Sequence, residues 1–154
     1  MINWKSFQEL KLKKFMTLSN QIILEAGVNH LGKISEADKF LNFFLNSDYR
    51  YLTFMIQQKT FYEKMKNKLD YNLSKKFYTK AIRLAHKKNK RIGLSVCENI
   101  TYKPFDAIDF DFYKLLGIAI NNKELINRLK LKKKPVYISL AQGSDEIGRA
   151  HVWT

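Results

Sequence analysis

Ile22-Ile23-Leu24-Glu25-Ala26-Gly27-Val28-Asn29-His30-Leu31-Gly32 joins a short apolar run to a turn carrying a carboxylate, an amide and an imidazole. An apolar run of this length suits a strand buried in a parallel sheet, and Gly27 and Gly32 suit a tight loop at its carboxyl end. Polar side chains at such a strand end are well placed for chemistry. Taken alone, the Glu-Asn-His cluster fits a structural loop as well as an active site.

Working outward, the chain alternates helix and strand signals. Ser35-Glu36-Ala37-Asp38 has the form of a capping box, and Ala37, Phe40, Leu41, Phe44 and Leu45 then recur at helical spacing, so a helix is expected to cover one face of the sheet. Tyr49 to Gln57 is aromatic and β-branched enough for a second strand. Residues Thr60 to Asn72 are polar and Lys-rich, which predicts an irregular loop. Ser74 can cap a helix with Phe77, Ala81, Leu84 and Ala85 on one face, and His86 at its end reads as a solvated partner of the helix dipole. Arg91 to Val96 reads as a third strand, Phe105 to Phe112 as a helical segment with Ile108 and Phe112 inward, and Leu125, Ile126 and Leu129 as a further helix. Before all this, Trp4, Phe7, Leu10, Leu12 and Phe15 lie among lysines in a lead-in segment, residues 1–20, that suits either a short amphipathic helix or a hairpin.

The order Glu-x-Gly-x-Asn-His-x-Gly after an apolar strand resembles the opening of the sialic acid synthase family, N-acetylneuraminate synthase and its legionaminate and pseudaminate relatives. The likeness runs from about Gln21 to Asp145. Where the family has Lys-Phe-Gln at its second strand end, this chain has Met55-Ile56-Gln57: the glutamine is kept and the lysine is missing, with Lys59 as a stand-in if the strand continues. Leu94 and Ser95 match the third strand, while Val96, Cys97, Glu98 and Asn99 depart from it. Lys114 and Ile120-Asn121-Asn122 match the fourth strand region, but Gly117, Ile118 and Ala119 replace its Ser, Gly and acid. Lys134-Pro135-Val136-Tyr137-Ile138-Ser139 closely resembles the fifth strand.

The resemblance implies an α/β fold, a partial (β/α)8 TIM barrel comprising about the first five β/α units, since a whole barrel needs about 250 residues. It implies a transferase that condenses phosphoenolpyruvate with an N-acylated amino sugar. Glu25 would lie at the reacting centre; Lys114, Ser95 and Ser139 would hold the anionic groups of phosphoenolpyruvate; Gln57 would contact substrate, and Asn29 and His30 would shape the Glu25 loop. A divalent metal, Mn or Mg, is expected for the full-length family, with ligands beyond Asp145 and none in this chain. A homodimer is compatible with the full-length protein. With the second-strand lysine and fourth-strand acid replaced, the fragment is expected to be inactive, and a half-barrel with an open edge after its fifth strand to be poorly stable.

Composition bounds the alternatives. The chain has 154 residues, a net charge of +14 and 45% hydrophobic residues, so it is basic yet apolar enough to fold. Such charge invites a nucleic-acid reading. Against it, the charge is mostly lysine in a Lys-, Asn-, Ile-, Phe- and Tyr-rich chain, as an AT-rich genome writes by default. The runs at His86–Arg91 and Lys130–Lys134 fall where helices end, where cations complement the dipole. A basic nucleic-acid-binding domain is therefore a third alternative, behind a non-catalytic sugar- or phosphate-binding relative of the barrel. The single cysteine, Cys97, precludes an internal disulfide and reads as a packed thiol. No secretion signal or membrane-length apolar run is evident, which points to a cytoplasmic protein with no membrane partner. Glu146 to Thr154 has neither periodicity nor family pattern and resembles a translated sequencing-library adapter, so residues 146–154 are expected to be a non-native tail and His151 is not read as a metal ligand. Glu146 and Arg149 cancel, leaving the charge argument unaffected.

Overall fold

Five parallel strands, the first four each followed by helix or turn, form the body of the chain in a computed structural model that describes residues 22–64, 71–139 and the backbone of 152–153. The strands are β1 (Ile23–Gly27), β2 (Tyr51–Met55), β3 (Arg91–Val96), β4 (Phe112–Leu115) and β5 (Val136–Ile138). The helices are α1 (Ile34–Asn46), α2 (Lys59–Lys64), α3 (Lys75–Lys87), α4 (Asn99–Tyr102) and α5 (Lys123–Leu131), with 3-10 turns at Lys103–Phe105 and Gly117–Ala119. Neighbours in the sheet are neighbours in sequence, β1-β2-β3-β4-β5. Each connection is long enough to return the chain to the start of the next strand, as parallel pairing requires.

Alternation divides the sheet into two faces. Leu52, Phe54, Ile56, Ile92, Leu94, Val96, Tyr113 and Leu115 belong to one phase, and they share a core with Ala37, Leu41 and Phe44 of α1, Phe77, Tyr78, Ala81 and Ala85 of α3, Tyr102 of α4, and Leu125 and Leu129 of α5. α1, α3, α4 and α5 therefore pack against the same side of the sheet. The opposite phase holds Glu25, Tyr51, Thr53, Gly93, Ser95, Phe112, Lys114 and Tyr137. Near the strand starts, the Phe112 ring meets Tyr51 and Tyr137 edge-on at centroid distances of 5.8 and 5.5 Å. Gly93 leaves the room: a Cβ there would come within 2.4 Å of the Phe112 ring.

Helix ends follow local chemistry in part. The Ser74 hydroxyl accepts from the Phe77 amide at 3.3 Å, as expected of a cap. Asn122 does the same for Leu125 at 3.1 Å. The expected capping box at Ser35 is not used: α1 starts two residues earlier, with Lys33 as its cap and no side-chain bond. At the other end of α1, the buried Lys90 ammonium donates to the carbonyls of Phe44 and Tyr49 at 2.7 and 2.8 Å and to that of Ser47. A cation on these carbonyls satisfies acceptors that a helix end leaves orphaned. Burial pushes this lysine's pKa down, and Lys88 nearby adds to the effect.

Three expectations for the middle of the chain are corrected. Within the span read as a loop, Lys59–Lys64 forms α2, tied in where the Tyr62 hydroxyl accepts from the Gln57 amide and donates to the Asn72 side chain, each at 2.9 Å. The helical segment expected over Phe105–Phe112 is a turn followed by the start of β4. Its acids are drawn to separate elements: Asp106 to Arg128 and Lys132, Asp109 to Lys134, and Asp111 to His86 and the Ile92 amide. His86 thus has a defined side-chain partner, its Nε2 lying 2.8 Å from the Asp111 carboxylate, rather than being only a solvated dipole partner. The lead-in 1–20 and most of the tail 146–154 lie outside the described residues. Val152–Trp153 pairs antiparallel with β5 as β6, along the edge that was expected to be open.

Candidate functional site

Glu25 is the last residue of β1 to keep its regular register, opposite Thr53; the next pairing joins Gly27 to Phe54, so Ala26 is an extra residue in the ladder. Beyond it the backbone turns sharply. Gly27 and Gly32 have φ of 56° and 73°, which glycine tolerates without cost from a side chain. Successive turn bonds, Asn29 to the Ala26 carbonyl, Leu31 to Val28 and Lys33 to His30, carry the chain into α1.

Three side chains from three strands converge at this strand end. The Lys114 ammonium donates to Glu25 Oε2 at 2.8 Å, and the Ser95 hydroxyl lies 3.0 and 3.3 Å from the two carboxylate oxygens. The Glu25 and Lys114 side chains are each 28% exposed, whereas Ser95 is fully buried. Glu25 and Lys114 are separated by three strand spacings, roughly 14 Å at about 4.8 Å per spacing, and side chains stand roughly perpendicular to a sheet. On a flat sheet they would not meet. The sheet curls toward this face, and the contact measures that curl.

The other expected site residues take different positions. Ser139 follows β5 two residues beyond Tyr137, which pairs with Lys114, and its amide bonds the Leu115 carbonyl at 2.9 Å. Gln57 follows β2, and its side-chain nitrogen lies 3.0 Å from Met55 Sδ rather than against Glu25. Lys59 is no stand-in for the missing lysine, because β2 ends at Met55 and Lys59 begins α2, paired at 3.5 Å with Glu63. Asn29 is exposed in the loop. His30 is fully buried: its Nδ1 accepts from the Gly32 amide at 3.0 Å, and its ring packs near Phe54 on the helix-facing side. Burial lowers its pKa, partly offset by a backbone bond at Gly27.

Cys97 is buried, its sulfur 3.3 Å from the Ile56 carbonyl, and burial together with the adjacent Glu98 charge pushes the thiol up to about 12. A thiol so held is a poor nucleophile, in keeping with a packed role. Sequence reading missed Thr53, fully buried beside Glu25, whose hydroxyl reaches the Leu24 carbonyl at 3.4 Å. Its only signal was a hydroxyl at an alternating strand position. It also missed the Asp106 cluster, in which burial raises the carboxyl pKa but the Lys132, Tyr102 and Arg128 donors outweigh it and hold the group below its ordinary value.

Among the described residues, no group of three or more His, Cys, Asp or Glu side chains is placed to hold a metal ion. Among the same residues, no helix is long and apolar enough to cross a membrane. Chemically, the convergent trio offers a carboxylate oriented by Lys114, by Ser95 and by the Gly27 amide at 3.3 Å, at the end of a parallel sheet where ligands of α/β proteins generally bind. Comparison with protein-family models and with curated proteins returned no match to this chain.

Proposed function

We propose that the chain forms the first five β/α units of a synthase-like (β/α)8 barrel of the sialic acid synthase kind, whose mouth condenses phosphoenolpyruvate with an N-acylated amino sugar. Three features of the fold support the barrel. Its strand order never reverses, unlike a doubly wound sheet. The helices α1, α3, α4 and α5 share one face of the sheet. Its concave residues fall into layers from alternate strands, as in barrel interiors: Tyr51 with Phe112, then Ile23 with Gly93 and Tyr137, then Thr53 with Lys114, then Glu25 with Ser95 and Ser139. Apolar layers lie near the strand starts and polar layers near the strand ends.

The observation that carries the reading is the Glu25–Ser95–Lys114 contact across four strands. In this reading Lys114, Ser95 and Ser139 hold the phosphate or carboxylate of phosphoenolpyruvate through charge-assisted bonds, which position it for attack. Glu25 manages protons at the condensing centre. Gln57 contacts substrate, while Asn29 and the buried His30 shape the loop behind Glu25. The divalent metal of the family would bind ligands from later strands, and no step here runs through it. Residues 1–154 alone are expected not to turn over.

A second reading, a barrel that binds a sugar or phosphorylated ligand without condensing it, is favoured by the β4 end. There Gly117-Ile118-Ala119 forms a 3-10 turn with Ile118 exposed and no acid. The two readings share an experiment. Titration calorimetry should detect phosphoenolpyruvate binding to the 154-residue chain that Lys114→Met or Ser95→Ala weakens at least 10-fold; binding indifferent to both substitutions removes the site. Phosphate release from phosphoenolpyruvate and an N-acyl amino sugar, assayed on the chain joined to its remaining barrel strands, separates enzyme from binder.

A further inference from the structure

The donors assigned to the ligand are already engaged. Ser95 has one hydroxyl proton, and in this geometry it points at Glu25. Lys114 has three, and one is given to the same carboxylate. Glu25 thus occupies the seat that an incoming anion would take.

We propose that Glu25 is a tethered competing anion that sets the selectivity of this seat, so that ligands carrying two anionic groups enter while single carboxylates are turned away. The proposal rests on the reading that Ser95 and Lys114 receive the ligand's anion. Tethering gives the Glu25 carboxylate an effective concentration on the order of millimolar or above, against which a free monocarboxylate competes poorly. An anion that instead settled beside Glu25 would use the two remaining Lys114 protons, and it would meet a like charge only a few ångströms away. A ligand with a phosphate and a carboxylate escapes this limit. One group displaces Glu25 from Ser95 and Lys114. The second finds the Ser139 hydroxyl at a position on the same concave face, in the layer of Ser95.

Glu25 is then a specificity-determining residue as well as a participant in the reaction. Its replacement by an uncharged isostere leaves an open seat with a net positive charge. Small anions that the native protein rejects should enter it.

The test compares phosphoenolpyruvate, pyruvate and inorganic phosphate by titration calorimetry on the native 154-residue chain and on Glu25→Gln. The expected result is that Glu25→Gln binds pyruvate and phosphate at least 10-fold more tightly than the native chain does, that the preference for phosphoenolpyruvate over pyruvate narrows by a similar factor, and that adding Lys114→Met cancels the gain. An unchanged preference, or weaker binding of all three anions by a folded Glu25→Gln chain, overturns the proposal. Should that variant fail to fold, the ammonium resonance of Lys114 in the native protein gives the answer: phosphoenolpyruvate should shift it at concentrations where pyruvate does not, and equal shifts overturn the idea. A Glu25→Gln gain for phosphate without any phosphoenolpyruvate binding would retain the competing anion and discard the synthase reading. Condensation by the joined barrel without that gain would do the reverse.

Discussion

The two faces of the sheet are built from the same strands yet obey different rules. On the helix-facing side, Leu52, Phe54, Ile56, Ile92, Leu94 and Val96 are all at most 3% exposed and belong to one apolar core shared with the helices. On the concave side the character changes along each strand, from the Tyr51–Phe112–Tyr137 rings to Thr53, Ser95, Glu25 and Lys114. The difference separates stability from chemistry by a one-residue step in sequence. Substitutions one position apart on the same strand should therefore have unlike consequences.

The largest effect is expected from Phe54→Ala, which removes a fully buried ring in edge contact with Phe77 and near Tyr78. A loss of about 4 kcal/mol in urea unfolding is the expected outcome. Gly93→Ala, on the concave face, drives a methyl group into the Phe112 ring and should cost about 2 kcal/mol, with Phe112→Leu in the same chain restoring part of it. At the polar end, Lys114→Met should change unfolding free energy by less than about 1 kcal/mol, because partly exposed ion pairs contribute little, while anion binding falls sharply. A stability loss there as large as that of Phe54→Ala would break the comparison. The smallest effect concerns His30. Its pKa is lower folded than unfolded, so the unfolded chain takes up the proton first as acid is added. Its contribution is complete above the ordinary value of about 6.5 and declines as pH falls below it. His30→Gln should flatten the stability profile between pH 6.5 and 5.

Much of the fold was legible because the strongest signals were local. Arg91–Val96 was read as a strand with the bounds observed, Ser74 as a cap, and Leu125 and Leu129 as the buried face of a helix. What failed depended on partners distant in sequence. Asp106, Asp109 and Asp111 reach Arg128, Lys134 and His86, so apolar spacing around them suggested a helix where the chain turns. At the end of α1, Ser47 caps the Phe44 carbonyl locally, but the Lys90 ammonium that joins it comes from more than forty residues further along, and no local pattern marks it. For the candidate site, Glu25, Ser95 and Lys114 were identifiable as strand-end residues. Their direct contact was not, because it requires the curl of the sheet. Lys59 was misjudged for the opposite reason: local structure, a strand that stops at Met55 and a helix that begins at Lys59, overrode the alternation assumed to continue.

The supernumerary Ala26 has a bearing on how the loop from Gly27 to Gly32 can vary. Because the slip in pairing falls after Glu25, the carboxylate is aimed by the regular ladder behind it, and the slack is confined to the residues that follow. Insertions or deletions between Val28 and Lys33 can thus be absorbed downstream of the joint without rotating Glu25 away from Ser95 and Lys114. Removing Ala26 itself would leave an unbroken ladder, with Gly27 following Glu25 directly and still opposite Phe54, at the loss of a buried methyl group.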